Sequence, residues 1–167
     1  NAGRFSDAVV LPVICVVECG CGCFINIGRT GNEFEKVGVA GIHVEDQVTP
    51  PNSPLVKSRR LLARDQAVGM VKAALDARTD PDFVIIARSD ADEISLDELI
   101  ERCNLYWEAG ADIIMPIVWM INGKPWTDLP IEEVIEAHRR VRNEVSGLLL
   151  GLALPAELTT SDIADLG

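Results

Sequence analysis

Apolar, β-branched runs alternate with helical patterns along almost the whole chain. Val9 to Val17 predicts a buried strand. Ile25 to Val37 predicts a helix closed by Gly38. Val39 to Val44 is a short strand ending at Glu45 and Asp46. Leu61 to Ala77 follows as a helix with Ala67, Val68, Val71, Ala74 and Leu75 on one face, and Phe83 to Ala87 as a strand. Ser95 with Glu98 three residues on forms a capping box. The helix it opens lines up Leu96, Leu99, Ile100, Cys103 and Trp107 and stops at Gly110. Ile113 to Val118 is the next strand. Ile131 to Val145 is a helix with Ile131, Val134, Ile135, His138 and Val141 on one side. Leu148 to Leu154 is a last strand, and Thr160 to Leu166 opens another helix. Strict alternation of this kind means parallel strands joined by helical crossovers. An open doubly wound sheet and a (β/α)8 barrel both satisfy it. A closed barrel takes ~250 residues, so 167 residues with about five strands make one α/β domain over 1–167, either a compact sheet or a section of a barrel.

Charge narrows the partners. Asp plus Glu number 26 against 15 Lys plus Arg, a net charge of -11. That disfavours nucleic acid, whose phosphates need a basic surface, and anionic membranes as partners. No apolar run approaches the ~20 residues that span a bilayer; Ala8 to Val17 is the nearest, and it contains Pro12. Asn1-Ala2-Gly3-Arg4 shows no charged leader followed by an apolar stretch, so a cytoplasmic setting with reduced thiols is expected. Cys19-Gly20-Cys21-Gly22-Cys23 lacks the two or more residues that usually separate zinc ligands, and reads as small residues in a glycine-rich turn.

In both folds chemistry gathers at the carboxyl ends of the strands. Those ends carry Glu18 with Gly20 and Gly22, then Glu45 and Asp46, Arg88 and Asp90, and Ile117-Val118-Trp119. Carboxylates, an arginine and glycine turns at one face suit an anion held through a divalent cation, and equally acidic strand ends that cap neighbouring helices or face water. Side chains alternate along a strand. If Ile42 and Val44 pack under helices, His43 and Glu45 point inward, and Arg88 shares its face with Val84, Ile86 and Asp90. His43, one layer deeper, is expected to be a hydrogen-bonded core histidine, and His138 a packing residue. Arg88 either pairs with Asp90 or Glu45 or clamps an anion.

Several strings together carry a resemblance. Val39-Ala40-Gly41-Ile42-His43-Val44-Glu45-Asp46-Gln47 resembles the fourth strand of the isocitrate lyase / phosphoenolpyruvate mutase superfamily, which includes 2-methylisocitrate lyases and phosphonopyruvate hydrolases. Asp82-Phe83-Val84-Ile85-Ile86-Ala87-Arg88-Ser89-Asp90-Ala91 is similar to its fifth strand, and Glu108-Ala109-Gly110-Ala111-Asp112-Ile113-Ile114 to the turn into its sixth. Leu11-Pro12-Val13-Ile14, followed by Glu18-Cys19-Gly20-Cys21-Gly22, is similar to its third, and Thr159 to Gly167 to its penultimate helix. The resemblance implies a (β/α)8 barrel, here about five βα units of one. It implies magnesium, or manganese in its place, at the strand ends, and a small anionic carboxylate substrate. The reaction implied is C–C or P–C bond cleavage through an enolate-like species. Glu45 would hold the metal and serve catalysis, Glu18 would take the second position of an Asp-x-Asp pair, and Arg88 would bind the substrate's anionic group. Gly20 and Gly22 match the turn beside the ligand; Asn52 and Ser53 match the substrate loop of mutase-like members. A homo-oligomer is expected.

The departures are specific. Val16 stands at the first aspartate of the pair, Cys21 replaces an aromatic, no lysine precedes Asn52-Ser53, the lyase-type loop cysteine is absent, and Ile117 stands where lyases place a glutamate. The first two strands and the eighth have no counterpart in these residues. A catalytically silent barrel section is therefore the alternative to a lyase or mutase, and a redox or metal module on the cysteine cluster is a third class.

Overall fold

A computed structural model of the chain describes residues 1–18, 20, 24–53, 58–151, 155 and 158–165. Four parallel strands form the central sheet in the order β1-β2-β3-β4: Ile14–Val16, Gly41–Glu45, Val84–Ser89 and Ile113–Pro116. Helices α1 (Ala2–Ala8), α2 (Phe24–Lys36), α3 (Arg64–Ala77), α4 (Leu96–Glu108), α5 (Ile131–Glu144) and α6 (Thr160–Asp165) separate or flank them. The chain's neighbours in space follow its order in sequence, as consecutive βα units require.

Register shows how the alternation is used. Val16 lies opposite His43, His43 opposite Ile86, Glu45 opposite Arg88 and Arg88 opposite Met115. This set shares the inner face, where Ile86, Met115 and Ile117 form their own apolar cluster. The alternate set faces the helices. Ile42, Val44 and Ile85 pack with Ile27 and Ala74. Ala87, Ile114 and Val118 pack with Val71, Leu99, Tyr106 and Val134. The parity expected for His43 and Glu45 against Ile42 and Val44 is the parity observed.

Several elements differ from expectation. The strand expected over Val9 to Val17 forms only at Ile14–Val16, because β2 begins opposite Ile14 and residues before it have no strand to pair with. Leu61 starts no helix. It bridges Gln47 in antiparallel fashion, and α3 begins at Arg64. After β4 the chain makes an unforeseen hairpin, β5 (Met120–Ile121) with β6 (Lys124–Pro125), turned by Asn122 and Gly123, both at positive φ. The last expected strand contributes a single parallel bridge, Leu149 to Ile114; residues 152–154 lie outside the described set. The capping box is half made. Ser95 Oγ accepts the Glu98 N–H at 3.1 Å, but the Glu98 carboxylate turns to Arg64 and to Arg102 Nε, at 2.7 Å. Those arginines hold the Glu98 carboxyl down at about 2.

Candidate functional site

The carboxyl ends of β2 and β3 meet in a buried polar cluster. Glu45 and Asp46 are consecutive, so the pleat sends them to opposite faces. Glu45 faces inward, and its Oε2 lies 3.3 Å from Arg88 Nη1. Arg88 Nε and Nη2 donate to the two oxygens of Asp90 at 2.8 and 2.7 Å, a fork-on-carboxylate pair that fixes the guanidinium plane. Both partners proposed for Arg88 are thus engaged at once. Burial raises Glu45 to about 7; Arg88 pulls it down, while Asp90, Glu18 and Asp46 push it further up.

Asp46 faces outward and organises the scaffold. It accepts from Ser89 Oγ at 2.7 Å, Tyr106 Oη at 2.7 Å, the Asp90 N–H at 2.9 Å and Arg102 Nη1 at 3.4 Å. These contacts tie the end of β2 to β3 and α4. Tyr106 and Arg102, which the apolar stripe of α4 did not include, are both buried for this purpose.

His43 is buried on the inner face, but its Nε2 has no hydrogen-bond partner among the described residues, so the expected satisfied core histidine is not what forms. Burial, with Arg88 nearby, lowers it to about 4 and keeps it neutral. His138 packs on α5, also with Nε2 unpartnered.

Glu18 leaves the end of β1 in the left-handed region at φ 53, and its carbonyl accepts the Glu45 N–H at 2.9 Å. This brings the two acids side by side at adjacent strand ends, with Glu18 exposed. Val16, one step back, is 61% exposed on the open inner face. Gly20 is buried at φ 61, and a Cβ there would lie 2.8 Å from the Ile27 Cα, so packing of α2 against the turn already requires glycine. Gly22, Cys19, Cys21 and Cys23 lie outside the described residues.

The loop after β2 is held by side chains that the sequence did not single out. Gln47 is buried and brackets Asn52, donating to its carbonyl at 3.0 Å and accepting from its N–H at 2.9 Å. The Asn52 amide donates to the Ser58 carbonyl at 3.2 Å, so it is engaged within the loop, and Ser53 beside it is exposed. Arg59, fully buried, reaches Asp90, Asp92 and Glu93. Asp92 also accepts the Trp119 and Met120 N–H groups at 2.8 and 2.7 Å; burial nevertheless pushes it up to about 6.

Among the described residues no group of three or more His, Cys, Asp and Glu side chains could hold a metal ion. Asp46 and Asp90 are committed to donors and arginines. Glu18 and Glu45 remain, Glu45 with its Oε2 already 3.3 Å from Arg88 Nη1, and the like charge of Asp90, Glu18 and Asp46 around Glu45 is what a cation would offset. Magnesium keeps several waters and takes one or two carboxylates, so this pair fits a hydrated ion.

Parallel βα units with an acid–arginine cluster at the strand ends define the class: a section of a βα barrel with its candidate site on the carboxyl-end face. The chain belongs to the phosphoenolpyruvate phosphomutase family, whose model matches residues 1–167. It is 44% identical over 115 residues to 2-methylisocitrate lyase of Shewanella oneidensis, covering 68% of this chain and 39% of that protein. It is equally similar, 44% over 115 residues, to 2,3-dimethylmalate lyase of Eubacterium barkeri, with 40% of that protein covered. The chain thus spans about two fifths of the length of these relatives. Phosphoenolpyruvate phosphomutase from Streptomyces platensis superposes with a TM-score of 0.81 at 26% identity, over 99% of this chain and 56% of that one. A phosphonopyruvate hydrolase crystallised with oxalate and magnesium gives 0.78 at 27% identity, over 99% and 54%. Among the described residues, no helix is long and apolar enough to cross a membrane.

Proposed function

We propose that this chain carries the anion-binding part of a lyase or mutase site that cleaves a C–C or P–C bond in a small 2-oxo or 2-hydroxy acid. The observation that carries the reading is Arg88. It leaves a buried strand end with one edge fixed on Asp90, its Nη1 turned to Glu45, and about a tenth of its side chain still open. That geometry orients a planar donor for a carboxylate. The names of the relatives, all acting on small carboxylates or phosphonates, support the substrate class. Glu18 and Glu45 would hold magnesium, or manganese in its place. When bound, the ion supplies Lewis-acid stabilisation of a developing enolate oxygen. The chain's own groups bind and orient: Arg88 holds the anionic end, Asp90 fixes Arg88, and Asp46 fixes the strand ends beneath both.

The test is thermal melting with magnesium and oxalate, an enolate mimic, on wild type, Arg88→Lys and Arg88→Ala. Stabilisation of wild type that Arg88→Lys loses while still folding is the expected result. No stabilisation of wild type, with a lower apo melting temperature in both variants, leaves Arg88 a structural residue. It favours the second reading, a silent barrel section, to which the exposed Val16 at the metal position already points.

A further inference from the structure

Arg59 lies outside the acid–arginine pair yet touches the carboxylate that orients it. Its Nη1 donates to Asp90 Oδ1 at 3.1 Å, the same oxygen that accepts Arg88 Nη2 at 2.7 Å. The remaining Asp90 oxygen takes Arg88 Nε at 2.8 Å. Arg59 itself cannot drift. Nη1 and Nη2 are forked on Asp92 at 2.8 and 3.1 Å, and Nε lies 3.3 Å from Glu93. Its backbone is set by the preceding residue, since Ser58, at φ 73, donates its N–H to Glu93 at 2.9 Å. The Arg59 and Asp90 side chains are both fully buried.

We propose that Arg59 is a positioning residue for Arg88, acting through the shared oxygen of Asp90. The inference rests on the reading of Arg88 as the anion clamp and deepens it. Two consequences follow from the geometry. First, Asp90 held from both sides cannot rotate, so the Arg88 plane stays fixed whether or not an anion meets its Nη1. Second, Asp90 divides its negative charge between two guanidiniums. Asp90 therefore neutralises Arg88 less than a private partner would, which leaves Arg88 more attractive to an incoming carboxylate at the Nη1 that faces Glu45. Arg59 touches neither Glu45 nor Glu18 among the described contacts, so within the acid–arginine pair it acts on Arg88, through Asp90.

The experiment is ¹⁵N NMR of the arginine Nε–H groups, with the Arg88 resonance assigned by its loss in Arg88→Lys. It is read on wild type, Arg59→Gln and Arg59→Lys, with Arg64→Gln as a control that removes contacts to Glu98 and Glu101 elsewhere. In the Arg59 variants the Arg88 Nε–H should exchange with water roughly tenfold faster or more. Arg59→Lys, which keeps a charge but not the fork, should fall between wild type and Arg59→Gln, and Arg64→Gln should match wild type. If Arg59→Gln does not fold, Arg59→Lys gives the same reading. Unchanged Arg88 exchange in folded Arg59 variants overturns the proposal. Calorimetry with oxalate and magnesium on the same proteins should show affinity weakened roughly tenfold by Arg59→Gln. Absence of binding by wild type counts against the anion-clamp reading alone, because the exchange measurement needs no ligand.

Discussion

At the ends of β2 and β3, Glu45, Asp46, Arg88 and Asp90 are each less than a tenth exposed, and Asp46 by itself accepts four hydrogen bonds. One strand away, at the end of β1, Val16 is 61% exposed and Glu18 stands in solvent at positive φ. The two regions belong to one sheet and share its inner face. The first is built as a desolvated network, in which each charge is fixed by partners on another element. The second has one side chain that could reach a cation and one that cannot. The anion half of the site is therefore pre-organised by the fold, whereas the cation half depends on Glu45, shared between the two.

The largest effect should come from the network side. Asp46→Ala removes the acceptor of two side chains, a guanidinium and a backbone N–H, all buried, and should lower stability by about 3–5 kcal/mol. Urea unfolding checks it. A loss below about 1 kcal/mol would place Asp46 among surface pairs and dissolve the contrast.

Next comes the shared residue. Glu45 is raised from its ordinary 4.5 to about 7, first by burial and then by Asp90, Glu18 and Asp46 against Arg88. A carboxyl raised on folding binds more protons folded than unfolded. Its contribution is complete below about pH 4.5 and is lost as pH rises through 7, a few kcal/mol at ~1.4 kcal/mol per unit. The metal-free protein should therefore lose stability over that window, and Glu45→Gln should flatten this part of the profile. Since magnesium takes the ionised form, its stabilisation of wild type should grow from pH 6 to pH 8 in parallel melting curves. A magnesium effect independent of pH would remove Glu45 from the metal site.

The smallest effect sharpens the β1 side. Val16→Asp places a carboxylate on an exposed inner-face position opposite His43, with little packing to lose. Magnesium binding by calorimetry should tighten about tenfold, about 1.4 kcal/mol. Equal affinity in both proteins would mean that β1 does not face the cation.

Much of this fold was legible in the chain. Parity along Gly41–Glu45 separated Ile42 and Val44, which meet helices, from His43 and Glu45, whereas Val84-Ile85-Ile86-Ala87 is apolar on both faces and its inner face is marked by Arg88. Gly38 and Gly110 closed their helices at positive φ, as glycine after a helix does. The Asn122-Gly123 pair is an equally local hairpin signal, but the expected elements, a strand over Ile113 to Val118 and then a helix from Ile131, leave it unassigned. Glu45 and Arg88 were visible as charges at strand ends; that they lie opposite each other is set by the register of the pair.

Arg59, Arg102 and Tyr106 were not visible, because nothing local marks a polar residue that will be buried against a partner 31 to 60 positions away. Arg102 and Tyr106 read as the ordinary flank of an amphipathic helix until Asp46 arrives over them. Local pattern determines the elements and their faces, since it depends on backbone geometry and on which side is apolar. Which carboxylates end up sharing an arginine depends on where crossovers bring strand ends and loops together in space. That was decided by the tertiary structure, where the cost of a buried charge leaves each one matched to whichever partner the packing brings within reach.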